Sequence, residues 1–239
     1  MKKLSLLLAL AVAFICISIV NASKPLRISV LGDSYSTFEG CVVPDSNLVW
    51  YFTPQSQYKQ QKNDVERRDQ TWWAQVVDRL GAKLVVNNSF SGATVCYTGY
   101  RDRATGLPGD YENRSFVNRA AYLGTSPDLI LVCGATNDSW CGAPIGNYKY
   151  ADWTRDDLLT FRPAMACMIH RLQKFYPKAR IVFMLNSELK PEINETVHTV
   201  CKHYNVECID LHDIDKQMGH PSVAGMKAIA DQVIEQVKK

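Results

Sequence analysis

Five short runs rich in β-branched and other apolar residues recur along the chain: LRISVL (26–31), KLVVNN (83–88), DLILVCG (128–134), ARIVFML (179–185) and VECIDL (206–211). Each reads as a strand buried on both faces, the signature of a parallel sheet. Helix-period stripes lie between them. Trp73, Val76, Val77 and Leu80 form one, closed by Gly81 at its C′ position. Thr154-x-x-Asp157 resembles a capping box ahead of Leu158, Phe161, Met165, Met168, Leu172 and Phe175, with Pro163 expected to kink or restart that helix. Ile193, Val197, Val200 and Tyr204 make the next stripe. Val223, Met226, Ile229, Val233 and Val237 make the last, with Pro221 expected in its first turn. Strands alternating with helices require right-handed βαβ units, which predicts one doubly wound α/β/α sandwich on a five-stranded parallel sheet.

Sheets of this kind bind ligands beyond the carboxyl ends of their strands, so functional residues are expected just after the apolar runs. The first run ends in Gly32-Asp33-Ser34 and the second in Asn87-Asn88-Ser89-Phe90-Ser91-Gly92. The third ends in Gly134-Ala135-Thr136-Asn137-Asp138, and the stretch after the fifth reaches Gln217-Met218-Gly219-His220-Pro221. Taken singly, each is an ordinary turn or cap. Together they gather a hydroxyl, an imidazole and amide donors on one rim, which is what acyl transfer needs.

The N-terminus has its own logic. Lys2 and Lys3 precede an apolar run from Leu4 to Val20, and Val20-Asn21-Ala22 offers small residues for signal peptidase. The run is marginal for spanning a bilayer, so residues 1–22 are expected to be a cleaved signal peptide rather than an anchor. Bulky Phe14 and Ile15 argue against lipid attachment at Cys16. Residues 23–239 then form one domain, exported to the periplasm or secreted, with no stable membrane association after cleavage. Lys and Arg number 27 against 24 Asp and Glu, and two of the lysines belong to the leader. So balanced a charge gives no footing for a nucleic-acid partner. Seven of the eight cysteines lie beyond the leader, and Cys201 with Cys208, and Cys96 with Cys141, are candidate pairs. No CxxC or HxxxH spacing supports a metal site.

In order and spacing the rim residues resemble the SGNH hydrolases, also called GDSL esterases and lipases, across nearly all of the mature chain. The serine motif stands as Gly32-Asp33-Ser34, with Tyr35 where leucine is common. Asn87-x-Ser89-x-Ser91-Gly92 matches the glycine motif, and Ala135-Thr136-Asn137-Asp138 matches Gly-x-Asn-Asp with alanine for the glycine. Of the Asp-x-x-His-Pro motif only His220-Pro221 remains. The resemblance implies a flavodoxin-like three-layer fold and ester hydrolysis without cofactor or metal. It makes Ser34 the nucleophile and His220 its base, and builds the oxyanion hole from the backbone N–H groups of Ser34 and Gly92 and the Asn137 amide.

The family's third triad member is replaced, because Gln217 stands where the aspartate is expected. Asp215, Asp213, or a carbonyl of Gln217 could orient the imidazole instead. His212 is the rival base, whereas His170, His198 and His203 fall within helical patterns. Two insertions, at about 35–70 and 93–125, and a loop after Asn137 carry aromatic, polar and basic residues that suit a sugar better than a fatty chain. The expected substrate is a small-molecule or glycan ester with a short acyl group such as acetyl. An acyltransferase acting on sugars, or a catalytically silent carbohydrate-binding protein, would use the same scaffold. A phosphate-binding protein would need a glycine-rich loop at a helix start, and none is found.

Overall fold

All five apolar runs become strands in the computed structural model, which describes residues 24–51 and 63–239. The expected signal peptide lies outside the described residues, as does part of the first insertion. In chain order the strands are β1 (Arg27–Gly32), β2 (Lys83–Ser89), β3 (Thr98–Arg101), β4 (Pro108–Asp110), β5 (Leu129–Gly134), β6 (Arg180–Leu185), β7 (Glu207–Asp210), β8 (Lys216–Gln217) and β9 (His220–Pro221). The α-helices are α1 (Trp72–Arg79), α2 (Phe116–Arg119), α3 (Thr136–Cys141), α4 (Phe161–Phe175), α5 (Pro191–His203) and α6 (Val223–Val237).

Five strands form one parallel sheet in the order β2-β1-β5-β6-β7. The chain leaves β1 for β2 on one side and continues at β5 on the other. The switch point therefore lies between the carboxyl ends of β1 and β5, where sheets of this kind place their ligands. Alternation along the strands divides the core in two. Ile28, Val30, Leu129, Leu131, Val182 and Met184 face α1 and α6. Leu31, Ile130, Val132, Ile181, Phe183 and Leu185 face α2, α4 and α5. Both faces are apolar because both are covered, which explains the near-continuous runs.

Local chemistry corrects three expectations. Pro221 is not in a helix: it pairs with Lys216 in the β8–β9 hairpin, and Ser222 caps α6 by accepting from Gly225 N at 3.2 Å. Thr154 and Asp157 do bond one another, but over a 3-10 turn, and α4 starts afresh at Phe161 with Pro163 tolerated in its first turn. The seven described cysteines are all free thiols, so neither candidate pair is bridged.

Candidate active site

Ser34 sits on a 3-10 turn (Ser34–Ser36) immediately after β1, at the switch point. Asp33 caps this turn, its Oδ1 accepting from Tyr35 N at 3.0 Å. Gly32 is required by close approach: a Cβ there would lie 2.5 Å from both Ser36 Cβ and Ser89 Oγ. The buried Arg119, from α2, ties the strand ends together by donating to Gly32 O at 3.1 Å and to Asn88 O at 2.5 Å. Burial pushes the Asp33 carboxyl up to about 7 and the Arg119 guanidinium down to about 9, each moderated by the other's charge.

His220 comes from the β8–β9 hairpin. Its two turn residues, Met218 and Gly219, have φ of 53° and 74°, the pair of positive values that a type I′ connection requires. This tight turn brings the Met218 carbonyl to 3.1 Å from His220 Nδ1. A carbonyl only accepts, so Nδ1 carries the proton and Nε2 is left with its lone pair. The Ser34 hydroxyl donates to that Nε2 at 2.9 Å. Burial holds the ring's pKa down at about 4, so the imidazole is neutral at ordinary pH and able to accept a proton from the hydroxyl.

Asp215 is not the partner of this ring. Its carboxylate takes the Ser222 hydroxyl and its carbonyl accepts from Ser222 N, which fastens the hairpin to the start of α6. Gln217 pairs with His220 across the ladder, and its Oε1 accepts from Asp64 N at 3.0 Å. Asp213 pairs with exposed His212 at 2.9 Å, so the rival base has a surface partner instead. The carbonyl that orients His220 belongs to Met218, a residue that sequence reading passed over. Gly219, just before His220-Pro221, was the one sequence hint of a turn there.

The expected oxyanion donors Ser34, Gly92 and Asn137 follow the carboxyl ends of β1, β2 and β5. Gly92 has φ of 79°, a conformation that favours glycine, and open space where a Cβ would stand. Among the described residues, neither the Ser34 nor the Gly92 backbone N–H donates to another protein group. Asn137 lies in the first turn of α3. Its Oδ1 accepts from the Tyr100 hydroxyl at 2.8 Å and its Nδ2 donates to Ala93 O at 3.0 Å, which fixes the amide and leaves its second N–H without a partner among the described residues. Asp138 accepts from Val95 N and Cys96 N at 2.8 and 3.2 Å, docking the glycine loop onto α3. Burial raises its pKa to about 6.

The insertions hold the hairpin. Tyr35 and Tyr51 donate to the carbonyls of Gly219 and Pro221 at 2.8 and 2.7 Å, and Asn63 Nδ2 reaches Gln217 O and Pro221 O. Trp50 stacks on the His220 ring, and half-exposed Trp140 makes a T-shaped contact with it at 6.0 Å. The sequence marked Tyr35 only as the residue after the serine motif and Tyr100 only as one aromatic of the second insertion, and Asn63 not at all, because each acts on a backbone or side-chain group far along the chain.

Three comparisons bear on this arrangement. The model of the GDSL-like lipase/acylhydrolase family matches residues 26–237. A crystal structure described as a GDSL-like lipase, from Bacteroides uniformis, is 49% identical, with 90% of this chain and 97% of that chain covered and a TM-score of 0.84. A second of the same description, from Bacteroides ovatus, is also 49% identical, covering 90% and 99% at a TM-score of 0.82. A family two carbohydrate esterase from Clostridium thermocellum, solved with cellohexaose, shares the fold at 19% identity, 90% and 65% coverage and a TM-score of 0.59. No curated protein matches. With a five-stranded parallel sheet and a family match spanning the whole domain, the chain belongs to the GDSL-like lipase/acylhydrolase family and is an ester-bond hydrolase.

Proposed function

We propose that the chain removes short acyl groups, acetyl above all, from a carbohydrate through an acyl-enzyme on Ser34. The observation that carries this reading is the 2.9 Å bond from the Ser34 hydroxyl to the unprotonated Nε2 of a buried, neutral His220. Ser34 attacks the ester carbonyl as its proton passes to His220, which then delivers it to the leaving alcohol. A water activated by the same imidazole attacks the acyl carbon and restores the enzyme. In both steps the free N–H groups of Ser34, Gly92 and Asn137 meet the negative charge on the carbonyl oxygen.

Two features support a carbohydrate as the alcohol. Trp140 offers a half-exposed indole beside the imidazole, a side chain suited to packing on a sugar ring. A carbohydrate esterase with the same fold has been solved with a bound oligosaccharide. Export belongs to the same proposal, on the pattern of Lys2 to Ala22; among the described residues, no helix is long and apolar enough to cross a membrane.

The test compares p-nitrophenyl acetate, butyrate and octanoate, then acetylated xylan and cello-oligosaccharides, beside Ser34→Ala. Expected are turnover of acetate over octanoate, acetate release from the glycan, and no activity in the variant. Equal activity in Ser34→Ala overturns the nucleophile, and a preference for octanoate overturns the acyl group.

A further inference from the structure

Transferring the Ser34 proton to Nε2 turns His220 into an imidazolium, because Nδ1 already holds a proton. In the familiar Ser-His-Asp arrangement a buried carboxylate stabilises that cation. Here the Nδ1 partner is the neutral carbonyl of Met218, and among the described residues no carboxylate bonds the ring. Something else must meet the charge in a site from which water is largely excluded.

The ring's surroundings are aromatic. Tyr35 lies 5.4 Å away, tilted by 57°, while Trp140 and Tyr51 make T-shaped contacts at 6.0 and 6.2 Å. Among the described residues only Trp50 is stacked on the imidazole. Its ring lies parallel to the imidazole, 9° between planes and 3.7 Å between centroids. Indole has the most electron-rich face of the side chains, and a cation against it is attracted by the ring quadrupole. Trp50 is buried and is held in register with the nucleophile. Its backbone N donates to Thr37 Oγ1 at 2.9 Å, and that hydroxyl donates to Ser34 O at 2.9 Å. Tyr51 packs against it in a T-shaped contact, 4.8 Å between ring centroids.

We propose that the face of Trp50 takes the place of the missing carboxylate, stabilising the His220 imidazolium that forms as Ser34 is acylated and deacylated. This rests on the reading of Ser34 and His220 as nucleophile and base. Trp50 acts through His220 and moves no proton itself. A desolvated cation on an indole face is favoured by roughly thirty-fold, so that is the size of effect expected on turnover.

Packing alone would also place a flat ring here, and fluorination separates the two roles, since it drains the ring face with little change in shape. Trp50 would be replaced site-specifically in the full chain by mono-, di-, tri- and tetrafluorotryptophan, with p-nitrophenyl acetate as substrate. The expected result is a stepwise fall in kcat reaching roughly ten- to thirty-fold at four fluorines. KM stays constant, the melting temperature is unchanged, and the acid limb of the pH profile moves to lower pH. A flat series overturns the proposal. Ser34→Ala and His220→Ala are run alongside. If either retains activity, the nucleophile-base reading fails and Trp50 loses its role with it. If both are inactive while the fluorinated series is flat, that reading stands and only the role of Trp50 is lost.

Discussion

Met218 and His220 are two residues apart, and the carbonyl of the first accepts from Nδ1 of the second at 3.1 Å. The acceptor and the imidazole therefore share one hairpin turn, and the tautomer is set by backbone geometry. Charge compensation, which a carboxylate would supply together with orientation, is left to other groups.

Removing Asp215 is expected to cost stability and leave catalysis nearly intact. Its carboxylate serves Ser222, the cap of α6, and makes no bond to the imidazole. Asp215→Ala should lower folding stability by about 1–2 kcal/mol through the lost bond and loosened cap. Denaturant unfolding together with kcat on a chromogenic acetate checks both halves. A hundred-fold fall in kcat at unchanged stability would give Asp215 a catalytic part.

Restoring the family residue at 217 is expected to bring no gain. Gln217 is directed to Asp64 N, and Nδ1 of His220 is already taken by the Met218 carbonyl, so Gln217→Asp is not expected to supply a carboxylate to Nδ1. It also forfeits the bond to Asp64. Turnover above wild type would mean that the hairpin opens to form a side-chain triad.

The Asn137 amide is held by Tyr100 and the Ala93 carbonyl. Asn137→Ala should lose roughly 10²–10³ in kcat, the usual cost of one oxyanion donor. Asn137→Asp should be worse, because a carboxylate would face both the Ala93 carbonyl and the developing oxyanion. Tyr100→Phe keeps the donor but frees its orientation, with an expected loss of about tenfold in kcat and little change in KM. Steady-state kinetics of the three variants gives the order, and Asp equal to Ala would remove Asn137 from the oxyanion site.

Burial holds His220 at about 4 against an ordinary 6.5. Only the neutral ring can accept the serine proton, so kcat/KM should stay level from neutral pH downward and fall near pH 4. A limb near 6.5 would mean that the ring ionises as if exposed. The sign for stability follows from the same displacement. Between about 4 and 6.5 the unfolded chain binds a proton that the buried ring does not, so this group's contribution rises with pH across that window.

The sheet was legible because burial on both faces leaves a mark that survives without context. The runs at 26–31 and 128–134 became β1 and β5 with little change, and Ser34, Gly92, Asn137 and His220 lie on one rim as strand-end logic requires. The hairpin was illegible for the opposite reason. Lys216 to Pro221 has no apolar alternation, and its strands are two residues each, fixed by turn geometry and by clamps from Tyr35, Tyr51 and Asn63. Proline before a helix stripe suggested a first turn, but Ser222 was the better cap. Trp50 carried no periodic signal at all, since its partner lies 170 positions away in sequence.

An orienting group made of main chain has an evolutionary consequence. A triad aspartate can be erased by one base change, whereas no substitution at position 218 deletes a carbonyl. What selection must guard is a shape: the left-handed pair at 218 and 219 that bends the chain back on itself. Drift in side-chain identity at the turn is then tolerated as long as the bend survives, and Gly219 becomes the position where a change should be least forgiven.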